Sequence, residues 1–442
     1  MDREVNNQGQ LLIGGVPAEE IAEAYGTPVY VYDVNRIRKN ARAFVETFKK
    51  HNVPAQVAYA SKAFSSIAML QVAKEENLSL DVVSEGELHT ALQAGFPVEK
   101  IHMHGNNKSL AELEMAVQYK IGCIVVDNFY EIALLTDLLK EKKVKMDVLL
   151  RVTPGIEAHT HDYILTGQED SKFGFDLSSG QAQKAFELLL DNEYTRVKGL
   201  HCHIGSQIFE TSGFTLATVK LFETMKKWRD EYSYQAEVLN LGGGFGIQYT
   251  EEDDPLALDQ YAIALINEVK SQSKQLDYPM PEIWIEPGRA IVGDAGVTLY
   301  RMGSIKEVPG VRTYASVDGG MTDNIRPALY QAKYDAVLAN KMHLPNFKEY
   351  AIAGKCCESG DMLLWDVKLP EVEPNDLMAV FSTGAYGYAM ANNYNRFGKA
   401  GVVFIENGKH QLVVRREKYE DITRLDLSYN KQEEMEYETS ND

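Results

Sequence analysis

Eight short apolar runs in the first two thirds of this 442-residue chain each stop at a residue able to do chemistry. They are Gln56–Lys62, Leu78–Ser84, Ile101–His104, Ile121–Asp127, Asp147–Arg151, Val197–His203, Val238–Gly243 and Glu282–Glu286. Stretches with helical periodicity lie between them, among them Ser65–Asn77, Glu87–Ala94, Leu110–Tyr119 and Tyr130–Lys140. Strand then helix, eight times over, predicts an α/β fold, a (β/α)8 TIM-like barrel. In a barrel the carboxyl ends of the strands meet at one rim, where active sites form. The expected rim offers Lys62, Ser84, His104, Asp127, Arg151, His203, a glycine triplet and Glu286.

A barrel occupies roughly 250 residues, so the chain has room for a second domain. After Glu286 the rhythm changes. Val297–Val308, Arg312–Asp318, Tyr350–Ala353, Leu377–Ser382, Gly401–Ile405 and Gln411–Arg415 are strand-like, with Gly, Pro and Asp between them. The predicted organisation is a barrel over residues 34–290 and a C-terminal all-β domain, a sandwich or barrel-like sheet, over 291–425. Residues 1–33, with a helix at Ala18–Tyr25 and a strand at Pro28–Tyr32, are expected to join the β domain. Residues 426–442 form an acidic tail, expected to fray from Asn430 onward. The longest barrel interruption is Thr153–Gly180, and its segment Thr166–Asp176 is a candidate lid or positioning loop.

A formal net charge of −19 argues against nucleic acid or an anionic membrane as partner, since phosphate binding needs clustered Lys and Arg. Met1–Gln10 is polar, and no run approaches membrane-spanning length. Cys123, Cys202, Cys356 and Cys357 have no zinc-like spacing, and two of them are adjacent. The expected setting is reducing and cytoplasmic, with no metal site.

Taken singly, the rim residues are ambiguous. Lys62 is either a snorkelling lysine or an imine-forming amine at a strand mouth. The glycines from Gly242 to Gly244 suit a tight turn, and equally a backbone cradle for phosphate where barrels commonly hold one. Glu286 and Arg289, in Glu286-Pro-Gly-Arg289, make a structural ion pair or a carboxylate for a protonated ring nitrogen beside an arginine for an anion. His203 is a structural histidine or a ring stacked on a planar ligand, with Ser206 nearby for a phosphate.

Four motifs occur in order: Tyr59-Ala-Ser-Lys62, His201-Cys-His-Ile-Gly-Ser-Gln207, Gly242–Gly246 and Glu286-Pro-Gly-Arg289. Together they resemble the alanine-racemase-like, fold-type III pyridoxal-phosphate decarboxylases. A wider set is similar to the diaminopimelate decarboxylase family within them. It comprises Asp81-Val-Val-Ser-Glu-Gly86, His104-Gly-Asn-Asn-Lys108, Asp170-Ser-Lys-Phe-Gly174 and Cys357-Glu-Ser-Gly-Asp361. The resemblance runs from about Gly26 to Gly387.

It implies pyridoxal 5'-phosphate as cofactor and decarboxylation of meso-2,6-diaminopimelate to L-lysine and CO2, the last step of lysine biosynthesis. Lys62 is implied to hold the cofactor, Glu286 to pair with its ring nitrogen and His203 to lie on its face. Ser206, Gly243, Gly244 and the segment Pro287, Gly288, Arg289 are implied to hold the phosphate end, with Tyr386. Cys357 is the implied proton donor, reaching the site from the partner in a homodimer with shared active sites. Arg289, Arg326, Tyr330, Glu358 and Tyr386 are the implied contacts of the amino-acid substrate. Two arginines suit a distal carboxylate and Glu358 a distal ammonium. The alternative is an ornithine- or arginine-type basic amino-acid decarboxylase of the same fold, whose substrate leaves Arg326 without a partner. A racemase wants a weaker electron sink, and a non-catalytic cofactor carrier lacks the β domain.

Overall fold

The computed structural model describes residues 3–156 and 171–429. Eight strands close a parallel barrel: Ala55–Ala60, Ser79–Val82, Ile101–Met103, Cys123–Val126, Met146–Thr153, Thr195–His201, Val238–Asn240 and Glu282–Ile285. Each pairs with the next, and Ile285 opposite Val57 closes the ring. The helices that follow the strands begin where capping chemistry lets them. Ser66, Ser84, Ser109 and Asn128 each accept a hydrogen bond from a backbone N–H one turn on. Ser84 is thereby committed to starting the helix Glu85–Gln93, and the second strand ends before it at Val82. The sixth strand likewise ends at His201, which leaves His203 in the loop beyond it.

The eighth strand departs from the expected repeat. Its helix, Arg289–Val292, has only four residues before the chain turns at Gly293 into the β domain. The long helix Val34–Lys50, ahead of the first strand, takes the vacant seat and packs on Leu258–Gln275 and Arg289–Val292. Asp294 secures it by accepting from Arg36 Nε at 2.9 Å and Asn40 Nδ2 at 2.7 Å.

Beneath the rim the barrel is plugged by apolar packing. Trp284 stacks on His102 with 4.2 Å between ring centroids, above Cys123, Val125, Leu149 and Val238. Emptying such a site by truncating Trp284 to Ala costs about 3–5 kcal/mol.

In the second domain, the strand Val29–Asp33 lies between Gly296–Val308, antiparallel, and Gly401–Glu406, parallel. The sheet continues through Arg312–Val317, Lys348–Ala353 and Met362–Leu369 on one side and Lys409–Val414 on the other. Two strands, Ala336–Leu338 and Met362–Leu369, were not expected. The first is only three residues long. The second exposes Trp365 and carries Asp366 at φ 56°, which breaks its alternation.

Of the segment Thr166–Asp176, residues 166–170 lie outside the described residues, as does the tail from Asn430. Phe175 and Asp176 pair with Val152 and Thr153. No helix among the described residues is long and apolar enough to cross a membrane.

Candidate active site

Lys62 sits in a single helical turn, Ser61–Ala63, at the mouth of the first strand. Its neighbours are fixed: Ser61 donates to Asp81 O at 2.7 Å, and Ala63 O accepts from Tyr386 N at 2.8 Å. The Lys62 side chain is exposed at the rim, with no carboxylate ion-paired to it among the described residues. The eighth strand end is stitched to this turn. Ala60 N donates to Pro287 O at 3.3 Å, and a Cβ on Gly288 would stand 3.0 Å from Ala60 O.

Glu286 is buried at the end of that strand, in a ring of polar groups from other strand ends. Asn240 Nδ2 donates to it at 2.6 Å, His201 Nε2 lies 3.2 Å away and His104 Nε2 3.3 Å. Burial by itself raises a carboxyl pKa, but the His201 and His104 rings outweigh it and hold Glu286 well below the usual range. His104 also lies 3.5 Å from Asp81, and despite burial the two carboxylates push its pKa up to about 9. Glu286 is therefore a fixed anion. Asp127 and Arg151 face each other across 3.8 Å in the same buried layer.

His203 has the opposite character. Burial, reinforced by Lys62 and Arg151, drives its pKa well below 6.5, so the ring is neutral. Its Nδ1 accepts from the N–H of Gly243 at 3.2 Å. The glycine loop is close-packed: a Cβ on Gly243 would meet Glu286 O at 2.1 Å, and Gly244, at φ 105°, would meet Gly205 O at 2.2 Å. Glycine is required at both positions.

Arg289 donates to Ser206 Oγ at 2.9 Å and to the Tyr249 hydroxyl. Arg326, on the short helix Arg326–Tyr330 of the β domain, donates to the same hydroxyl at 3.1 Å and to Tyr334 at 2.6 Å. The Tyr386 ring lies 4.9 Å from the Arg289 guanidinium and 6.0 Å from that of Arg326. Burial would raise the Tyr249 pKa, but the two arginines reverse the shift and lower it.

The structure thus brings Lys62, His203, Ser206, Gly243, Gly244, Glu286, Pro287, Gly288, Arg289, Arg326 and Tyr386 to one junction of barrel and β domain. Tyr330 is exposed on its helix. Cys357 and Glu358 are exposed on the loop between Lys348–Ala353 and Met362–Leu369, and neither is hydrogen-bonded or ion-paired to Glu286, His203 or Arg289. The sequence motifs include Asp81 without a role for it, and do not include Asn240, Tyr249 or Tyr334. Asn240 carried a usable signal, a polar residue ending the seventh strand. Tyr249 and Tyr334 are two of 24 tyrosines and carried none.

The pyridoxal-dependent decarboxylase, pyridoxal binding domain family matches residues 34–293. Diaminopimelate decarboxylase of Bacillus subtilis (strain 168) is 63% identical over 424 residues, 96% of this chain and 97% of that protein. The chain belongs to the diaminopimelate decarboxylase family. The Staphylococcus aureus (strain COL) enzyme of that name is 46% identical over 93% of this chain and 96% of its own. A crystal structure of diaminopimelate decarboxylase from M. jannaschii in co-complex with L-lysine superposes with a TM-score of 0.90. It is 35% identical and covers 96% of this chain and 98% of that one.

The chain is a pyridoxal-phosphate-dependent amino-acid decarboxylase. The residues present fit that cofactor. An exposed lysine amine, a buried anion for a ring nitrogen, a neutral imidazole, and a Ser–Gly–Arg cradle share one rim. His104, His201 and Glu286 also stand within metal-ligand reach of one another, but Asn240 and the two rings already occupy the carboxylate.

Proposed function

We propose that the chain decarboxylates meso-2,6-diaminopimelate to L-lysine and CO2, the last step of lysine biosynthesis, as a cytoplasmic homodimer with shared active sites. One observation carries the choice of substrate. Arg289 and Arg326 are buried side by side, and among the described residues no carboxylate pairs with either. A substrate with a carboxylate at its far end answers that charge, and ornithine or arginine does not.

In this reading residues 34–290 form the cofactor barrel, and residues 1–33 and 291–425 the β domain. Pyridoxal phosphate, when bound, supplies the electron sink that accepts the pair freed as CO2 departs. Lys62 supplies the amine that attaches it. Glu286 keeps a negative charge at the ring nitrogen, and the neutral His203 offers a flat face that adds no competing charge. Ser206, Gly243, Gly244, Pro287, Gly288, Arg289 and Tyr386 hold the phosphate end. Arg289, Arg326, Tyr330 and Tyr386 grip the substrate. Cys357 and Glu358, exposed in one chain, reach the partner's site, where Cys357 donates the proton that replaces the carboxylate and Glu358 takes the distal ammonium.

The test is product analysis with holoenzyme and each amino acid in turn. Lysine and CO2 should form from meso-diaminopimelate. Faster CO2 release from ornithine or arginine would overturn the substrate and leave the fold and cofactor standing.

A further inference from the structure

We propose that Tyr249 is a specificity-determining positioning residue, whose phenol oxygen holds Arg289 and Arg326 as a pair set to receive a single carboxylate. The inference rests on the substrate reading above and adds the residue that builds its receptor.

The two arginines come from different domains, one behind the eighth barrel strand and one on the β-domain helix Arg326–Tyr330. Like charges brought this close repel, so something must hold them. Tyr249 is buried, and its hydroxyl accepts from Arg289 Nη1 and from Arg326 Nη1 at 3.1 Å. Its ring also lies 5.6 Å from the first guanidinium and 5.2 Å from the second. Tyr249 itself is fixed. Its N–H donates to Asp253 at 2.9 Å, and its ring meets Tyr334 edge-on at 5.3 Å, the tyrosine that takes the remaining Arg326 bond at 2.6 Å.

The chemistry of a phenol suits this position. An aspartate or glutamate between the arginines would hold them equally well, but it would neutralise them and remove the attraction for an incoming anion. A phenol is an acid about six units weaker than a carboxylic acid, so its oxygen, with two lone pairs, sets their spacing and leaves more of the positive charge for the ligand.

The test compares two ligands of the holoenzyme by calorimetry. L-Lysine carries a carboxylate beside its α-ammonium, and 1,5-diaminopentane is the same molecule without the carboxylate. Wild type, Tyr249→Phe and Arg326→Ala are measured, with circular dichroism to check folding. Tyr249→Phe keeps the ring and its packing and loses only the oxygen. It should cut the preference for lysine over the diamine by roughly 10-fold or more, the scale of a hydrogen bond to a charged group. Diamine affinity should stay within about 2-fold, and the KM for substrate should rise more than kcat falls. If Arg326→Ala loses the preference and Tyr249→Phe keeps it, or if Tyr249→Phe weakens both ligands alike, Tyr249 is a packing residue and the inference fails while the substrate reading stands. If neither variant changes the preference, the arginines do not read the carboxylate, and both readings fall.

Discussion

Replacing His104 by Gln should remove stability in a pH-dependent way that the geometry specifies. His104 Nε2 stands 3.3 Å from Glu286 and 3.5 Å from Asp81, with no well-aligned hydrogen bond to either, so charge attraction is the bond. Burial would lower the pKa of this imidazole, but the carboxylates raise it from 6.5 to about 9. A shift of that size corresponds to about 3 kcal/mol. Because the folded pKa lies above the unfolded one, this stability is fully present below pH 6.5 and is lost as pH rises through 9. The depression of Glu286 is the other side of the same pair and is not counted again. The assay is thermal unfolding of enzyme stripped of cofactor, wild type against His104→Gln, from pH 6 to 9.5. At roughly 2 °C per kcal/mol for a domain of this size, the gap should be about 6 °C at pH 6 and close toward pH 9.5. A gap that stays flat or widens with pH would refute the buried imidazolium.

Glu286→Gln should keep the fold, since an amide can still accept from Asn240, but slow decarboxylation on the order of 100-fold or more through loss of the anion at the ring nitrogen; unchanged kcat in steady-state assays would make Glu286 structural. Mixing inactive Lys62→Ala and Cys357→Ala chains should restore activity, up to about a quarter of wild type for random exchange, because each mixed dimer keeps one intact site. No recovery after subunit exchange is verified by mass spectrometry would count against shared sites.

Much of the barrel was readable because most of the short apolar strands run into a polar or charged residue at or just past their ends, so Lys62, His104, Asp127, Arg151 and Glu286 could be expected on one rim before any contact was known. Ser84 follows the second strand as expected, and its oxygen there caps the helix Glu85–Gln93. The eighth repeat was misjudged because the helix that completes the ring, Val34–Lys50, precedes the strands in sequence. Tyr249 and Tyr334 were invisible for a different reason. Their roles come from two arginines 40 and 77 residues from Tyr249, brought together only by the packing of barrel on β domain. Met362–Leu369 escaped because its faces do not alternate cleanly in burial.

The most direct test of the rim as the site of chemistry is borohydride reduction of the holoenzyme followed by peptide mapping. Reduction should bleach the cofactor's absorbance and leave pyridoxyl mass on the peptide that carries Lys62, and Lys62→Ala should carry none. Cofactor mass on any other lysine, such as the buried Lys108 ion-paired to Glu131 at 2.8 Å, would contradict the account at its centre.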